Sequence, residues 1–287
     1  MADLKKRLET NIGGDFFVDS TCIDCDTCRQ LAPAVFEETG EYSSVYHQPQ
    51  NPEELRGALR ALLACPTGSI GTQDHKKEIA GAREDFPMPL EDGVYYNGYN
   101  SPKSYGGNSY FVKHPDGNWL IDSPKFLPDL VEKFRSMGGM RYVFLTHQDD
   151  VADAEKYAKE FGATRIIHRR EINAQPDAER IIEDDEPVAF GDDFLVIPTP
   201  GHTAGHCVLL YRNKFLFTGD HLWWRDDRGG MGASHSYCWF SWEEQKKSLA
   251  RLLDYEFEWL LPGHGRRKHL PKNEMHAALG ELVSRLK

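Results

Sequence analysis

Missing from this sequence is any apolar run approaching the roughly 20 residues that a helix needs to cross a bilayer. Its opening, Met1-Ala-Asp-Leu-Lys-Lys-Arg, has no apolar segment behind the charges of the kind a secretory signal carries. The expected setting is therefore the cytoplasm or an equivalent reducing compartment such as an organelle stroma, with no membrane partner. A basic excess is also lacking: 34 Lys and Arg stand against 45 Asp and Glu, a formal charge of −11. That balance excludes a nucleic-acid partner, which would demand a cationic footprint. Internal repeats and low-complexity tracts are absent too.

Cysteine is scarce, with six in 287 residues, yet four are arranged as Cys22, Cys25, Cys28 and, after a gap, Cys65 followed by Pro66. A disulfide framework rarely has that spacing, so metal is the better reading. The chain is longer than one average domain, and 40% hydrophobic residues suffice for a sizeable core. Two units are expected: residues 1–86 with a linker to about 92, then residues 93–287. Stretch 74–92 is charged, carries Pro87 and Pro89, and shows no periodicity. Residues 1–92 hold 9 Lys and Arg against 17 Asp and Glu, so most of the acidity lies in the first third. A redox partner protein with a basic face could dock there, although plain solubility accounts for the charge equally well.

In the first unit, Glu53 to Ala64 places Leu55, Leu59, Leu62 and Leu63 on one helical face. A module this small buries little surface alone, and a covalently held cluster would compensate. From Val94 onward, strand-like runs alternate with helix-like ones, which implies an α/β sandwich with polar residues at strand ends. Strands are expected at 108–113, 118–122, 142–146, 165–168, 194–198, 207–211, 214–218 and 257–261. Helices are expected at 127–137, 150–161, 242–253 and the C-terminus.

Three thiolates at CxxCxxC spacing wrap one face of a cubane and a distant fourth closes it, the ligand demand of a [4Fe–4S] centre. Four cysteines also suit structural zinc, but zinc knuckles usually contribute two CxxC halves. Cys22-Ile-Asp-Cys25-Asp-Thr-Cys28, Ala32-Pro33-Ala34-Val35-Phe36 and Cys65-Pro66-Thr-Gly68-Ser-Ile70 together resemble single-cluster bacterial ferredoxins over residues 15–72. The resemblance implies one [4Fe–4S] cluster on Cys22, Cys25, Cys28 and Cys65. Cys207 and Cys238 are left as a core thiol and a loop thiol.

Four further segments each follow an apolar strand: Thr146-His147-Gln-Asp149-Asp150-Val-Ala-Asp153, Thr199-Pro200-Gly201-His202-Thr-Ala-Gly205-His206, Thr218-Gly219-Asp220-His221 and Leu261-Pro262-Gly263-His264-Gly265. Imidazoles and carboxylates at strand ends are what a hydrolytic or non-haem iron site requires. With the Asn108-Ser109-Tyr110 hairpin and Trp119-Leu-Ile-Asp122, these segments resemble the metallo-β-lactamase superfamily over residues 93–270. The fold class implied is an α+β ferredoxin-like module followed by an αββα metallo-β-lactamase sandwich. By the resemblance His147, His202 and His264 are metal ligands and Asp220 the bridging carboxylate.

The remainder of the family's THxHxDH motif does not match. In strict register Asp149 takes the second His slot, while Val151 and Ala152 fill the Asp and His slots. With extra residues in the loop, Asp150 replaces that His and Asp153 the motif Asp. One imidazole is missing either way. Oxygen ligands shift preference from zinc toward iron or manganese, so one or two ions are expected, with iron favoured. This resembles the flavodiiron branch of the superfamily, though no flavodoxin segment is present; a mononuclear site on His147, His202 and Asp220 resembles the persulfide dioxygenase branch.

Asp220 and His221 are the candidate catalytic residues, Asp220 as the bridging carboxylate and His221 as a group that either supports the ligands or meets the substrate. His206 and Asp122 are expected to support the ligands rather than bind metal. Trp223, Trp224, Tyr237, Trp239, Phe240 and Trp242 could line a substrate pocket, and the basic run Arg266, Arg267, Lys268 could receive an anionic substrate. The favoured expectation is a redox enzyme in which the cluster relays electrons to a carboxylate-rich iron site acting on oxygen or a small molecule. The alternatives are a metal-dependent hydrolase with a structural cluster, or a noncatalytic redox sensor.

Overall fold

A computed structural model describes residues 2–286. The two sheets of the larger unit face each other, and their strands explain why the sequence reads as unbroken apolar runs. Cys207–Tyr211 is buried at all five positions. Cys207, Leu209 and Tyr211 enter the core between the sheets, while Val208 and Leu210 enter a second core beneath the outer helices. Phe215, Phe217 and Leu216 divide in the same way, because successive side chains of a strand leave by opposite faces.

The first sheet has seven strands in spatial order Arg180–Ile182, Thr164–His168, Tyr142–Phe144, Trp119–Ile121, Tyr110–Val112, Val94–Tyr96 and Met88–Glu91. The second runs Val188–Phe190, Phe194–Pro198, Cys207–Tyr211, Phe215–Gly219, Trp259–Pro262 and Lys268–His269. Between them Trp119 stacks on Phe194 at 4.3 Å and Tyr110 tilts against Phe217 at 5.4 Å. Helices Pro128–Ser136 and Ala154–Phe161 bury Phe134 and Tyr157 against the first sheet. Helices Trp242–Arg251 and Lys272–Arg285 bury Leu249, Met275 and Leu279 against the second. The result is the αββα sandwich. No described helix is long and apolar enough to cross a membrane.

The small module has its own core of Phe16, Val18, Val35, Phe36, Val45, Leu59 and Ile70. Its helix Pro52–Ala64 starts where Asn51 accepts a hydrogen bond from Glu54 N and Pro52 fixes the first turn. The most deeply packed face is not the leucine stripe. Ala58, Ala61 and Ala64 are fully enclosed while Leu55, Leu62 and Leu63 are half-buried. A Cβ added at Gly57 would stand 3.4 Å from Ala32 Cβ, so small residues bring this helix onto Thr27–Leu31.

Stretch 74–92 is ordered rather than a loose tether. It holds the helix Glu78–Arg83 and the edge strand Met88–Glu91, and Arg56 and Arg60 both grip Asp85. The modules meet along a hydrogen-bonded seam: Asn100 N donates to Ala64 O (3.1 Å), Lys125 Nζ to Cys65 O (3.0 Å), and Asn100 Nδ2 to Thr27 Oγ1 (3.1 Å).

Candidate metal centres

The four module cysteines line one small enclosed cavity. Asp24 and Asp26, between the first three, both lie in the left-handed region (φ 54° and 66°), which Asp tolerates better than most residues. The turns aim donors at sulfur. Asp24 N donates to Cys22 Sγ (3.4 Å) and Ser69 N to Cys65 Sγ (3.3 Å), while Thr27 Oγ1 lies 3.4 Å from Cys25 Sγ. Burial pushes the Cys25 thiol up to about 11 and the Cys28 thiol further in the same direction. A buried thiol set that costs much to ionise unaided, yet receives N–H donors on sulfur, fits an iron–sulfur cluster, whose iron ionises the thiols outright.

The second set forms where loops leave the C-terminal ends of four strands. His147 follows Tyr142–Phe144, His202 follows Phe194–Pro198, Asp220 follows Phe215–Gly219, and His264 follows Trp259–Pro262. Asp149 and Asp150 sit on the short 3-10 turn Gln148–Asp150. Asp220 Oδ2 is 3.7 Å from His147 Nε2, 3.6 Å from His202 Nε2 and 3.8 Å from His264 Nε2. Asp149 Oδ2 is 3.8 Å from His147 Nε2 and 3.6 Å from His202 Nε2. These separations exceed hydrogen bonds but approach the roughly 3.4 Å between two tetrahedral ligands of one ion about 2.1 Å from each.

His147 Nε2, His202 Nε2, Asp220 Oδ1 and both Asp150 oxygens are buried with no hydrogen-bond partner. Orphaned lone pairs converging in one place have a single economical explanation, a cation. Ligand atoms within 4.8 Å of one another form two groups, His147 with Asp149 and His202, and His147 with Asp150 and Asp220.

Electrostatics agree. Burial holds His147 neutral, down to about 4, ready to offer a lone pair. Burial drives Asp150 well above the usual carboxylate range, and the Asp220, Asp122 and Asp149 charges add to the rise. Burial also acts on Asp220, but His264, His147 and His202 outweigh it and keep that carboxyl low. Behind the ligands, Thr146 Oγ1 lies 3.0 Å from His147 Nδ1 and donates to Asp122, and His202 Nδ1 meets Tyr237 O at 2.5 Å. Those contacts leave each Nε2 free to face the centre.

Two sequence expectations stand corrected. Asp153 is not brought to the set, because Lys103 Nζ, Lys156 Nζ and Phe126 N occupy its carboxylate. Nor does His221 reach the substrate space: it is fully buried and stacked behind His206 at 5.4 Å. His206 accepts from Asp220 N (3.3 Å) and pairs with Thr199 Oγ1 (2.9 Å), a supporting position.

The second set opens on a cleft of about 1060 Å³ that Cys25 also borders, walled by Asp24, Cys25 and Asp26 from the module and by Asp149, Asp150, His202, Asp220 and His264 from the sandwich. Sequence reasoning missed the partition between them. A Cβ at Gly106 would stand 2.6 Å from Cys25 Cβ and 3.0 Å from its Sγ, and one at Gly107 2.7 Å from Asp150 Oδ1. The Gly-Gly pair was the available signal, but it names no neighbours.

Residues 18–72 match the 4Fe-4S single cluster domain of Ferredoxin I, and residues 104–264 match the metallo-beta-lactamase superfamily. The chain belongs to the metallo-beta-lactamase superfamily and carries a 4Fe–4S domain in front of it. A hydroxyacylglutathione hydrolase of Rhizobium etli is 37% identical over 106 residues, 36% of this chain and 41% of that protein. The chain thus spans about two fifths of the length of that curated relative. An uncharacterized protein of Bacillus subtilis, YobT, is 25% identical over 215 residues, covering 62% of this chain and 91% of its own. Among solved structures, a metallo-beta-lactamase from Pontibacter korlensis superposes with TM-score 0.51 at 18% identity, over 69% of this chain and 97% of its own. BLEG-1 B3 metallo-beta-lactamase gives 0.52 at 16%, over 68% and 99%. Both show likeness of fold alone.

Proposed function

We propose that this protein is a redox enzyme in which the cluster module delivers electrons to the carboxylate-rich metal centre, where a small molecule in the shared cleft is transformed. The observation that carries this reading is Gly106-Gly107, whose two residues touch Cys25 and Asp150 respectively. Consecutive Cα atoms are about 3.8 Å apart, so a single peptide unit divides the two sites. A purely structural cluster has no need of that proximity.

When bound, the cluster supplies one-electron chemistry and the second metal a Lewis-acidic, redox-capable centre. His147, His202 and His264 offer imidazole nitrogens; Asp149, Asp150 and Asp220 offer oxygens. Three carboxylates beside three imidazoles favour iron or manganese over zinc. Asp122, through Thr146, fixes the orientation of His147, and His206 holds the Asp220 backbone. Asp220, whose Oδ2 faces all three imidazoles, would be a central oxygen ligand of any metal held there.

A hydrolase is the second reading, favoured by the Rhizobium relative. The two separate on metal content and electron flow. Anaerobically purified protein is expected to hold iron beyond the cluster's four, and its reduced cluster to be reoxidised by dioxygen at least tenfold more slowly in His202→Ala. Zinc alone in the second site, with equal reoxidation rates, would sink the redox reading and leave the hydrolase.

A further inference from the structure

Three of the most exposed large aromatic side chains, Tyr105, Tyr237 and Trp239 (61%, 63% and 64% exposed), all stand at the mouth of the metal cleft. A single exposed ring is ordinary, but several gathered around one opening mark a ligand-binding groove. They are also held in place. Trp239 N donates to His202 O (2.8 Å), Phe240 N to the same oxygen (3.1 Å), and Cys238 Sγ to Gly201 O (3.0 Å), so their loop is laced to the loop bearing a metal ligand. The Trp239 ring lies 6.1 Å from the His202 ring and 6.4 Å from Tyr237. On the other flank Tyr105 lies 6.5 Å from the His264 ring, on a left-handed backbone (φ 50°) that a bulky residue rarely adopts.

Charge narrows what these rings would cover. Lys103 is the only Lys or Arg lining the cleft among the described residues, and it is bound to Asp153 at 2.8 Å. The basic run is turned away: Arg266 Nε pairs with Asp226 at 2.8 Å, Arg267 stacks on Tyr96 at 4.1 Å, and Lys268 on Trp224 at 4.7 Å. Among the described residues no side-chain cation besides Lys103 lines the cleft, so the basic run does not supply the receiver of an anionic substrate expected from sequence. No free anion awaits a cationic one either. Arg29 takes both Asp24 and Asp26, and the remaining carboxylates belong to the metal set. The volume of about 1060 Å³ is that of a site for an organic molecule, far beyond the needs of dioxygen alone.

From this we infer that the cleft takes a neutral, planar aromatic substrate, gripped between Tyr105 on one rim and Trp239 with Tyr237 on the other. The inference rests on the reading above that the cleft is where the reaction takes place.

The test is calorimetric titration of the oxidised, metal-loaded protein with 2-naphthol and with 2-naphthoate, which share a ring system and differ in charge. The naphthol is expected to bind at least tenfold more tightly. Trp239→Ala and Tyr105→Ala should each weaken it about threefold to tenfold, the worth of one aromatic pair, and Trp239→Phe should restore it to within twofold. Unchanged cluster absorbance in each variant shows that the fold is kept. Equal or tighter binding of the naphthoate, no binding of the naphthol, or indifference to both alanine variants overturns the inference. Binding is read without turnover or electron flow, so failure here leaves the reoxidation result standing, and the reverse.

Discussion

Substituting Gly106 by Ala isolates the contact on which the pairing of the two centres depends. Gly106 has φ +89°, and forcing an L-residue into that region costs about 1–2 kcal/mol. The new methyl would also meet Cys25 Cβ at 2.6 Å and Pro66 Cγ at 3.1 Å, and such overpacking typically adds about 1–3 kcal/mol. Gly40 provides the control, since it has φ +81° with no atom within 4 Å of an added Cβ. Gly40→Ala carries only the backbone cost, so the difference between the variants reports the collision alone. At about 2–4 °C per kcal/mol for a chain of this size, Gly106→Ala should melt several degrees below Gly40→Ala. Because the displaced side chain is that of Cys25, whose Sγ would stand 3.0 Å from the methyl in the four-cysteine cavity, the variant should also bleach faster in a chelator under anaerobic conditions. Gly107→Ala is the complement: its φ is ordinary, and its methyl would meet Asp150 Oδ1 at 2.7 Å. That variant should keep the cluster and lose metal from the second site. Bleaching and melting of Gly106→Ala indistinguishable from Gly40→Ala would refute the argument.

Two further outcomes concern charge. Burial, resisted by the Thr146 hydrogen bonds and joined by the Asp220 charge, raises Asp122 from 3.8 to about 8. Folded metal-free protein therefore keeps a proton that the unfolded chain releases, and stability should fall as pH rises between those values. Asp122→Asn should flatten part of that slope in thermal melts; an unchanged slope would show that the carboxyl is already ionised at low pH. Arg29, 12% exposed, holds Asp24 and Asp26 on either side of Cys25. Arg29→Leu should cost roughly 2–3 kcal/mol, between exposed and fully buried ion pairs, and shorten cluster lifetime in air. Denaturant titration with iron counting checks both, and a neutral effect would mean that the two aspartates are adequately solvated without it.

Much of the sandwich could be read from sequence because its strands are buried on two faces. Phe194–Pro198 and Cys207–Tyr211 fall where the apolar runs place them. Elements without such a run were not legible. Met88–Glu91 looked like linker because an edge strand with two half-exposed charged neighbours carries no apolar period, and its place is set by pairing with Val94–Tyr96. The helix expected from Asp150 begins only at Ala154, since Gln148–Asp150 turns as a 3-10 segment that holds two carboxylates toward the ligands. For the same reason spacing could not choose among Asp149, Asp150 and Asp153. That choice depends on Lys103 and Lys156, whose hold on Asp153 is a tertiary fact.

The exchange of imidazole for carboxylate and the seating of the cluster module are one arrangement. Asp150 lies in a slot between two glycines: a Cβ at Gly107 would stand 2.7 Å from Oδ1, and one at Gly263 would stand 2.8 Å from Oδ2. A short side chain fits there, where the greater bulk of an imidazole would press on both walls. The walls are joined, because Asn108 N donates to Gly263 O at 2.7 Å and Tyr110 Oη to Pro262 O at the same distance. Gly106, the next residue along, is the surface against which Cys25 rests. A shift of the cluster loop must therefore move the wall that positions Asp150, and a cation drawn to Asp150 must in turn brace that wall. Each centre thus helps to build the other.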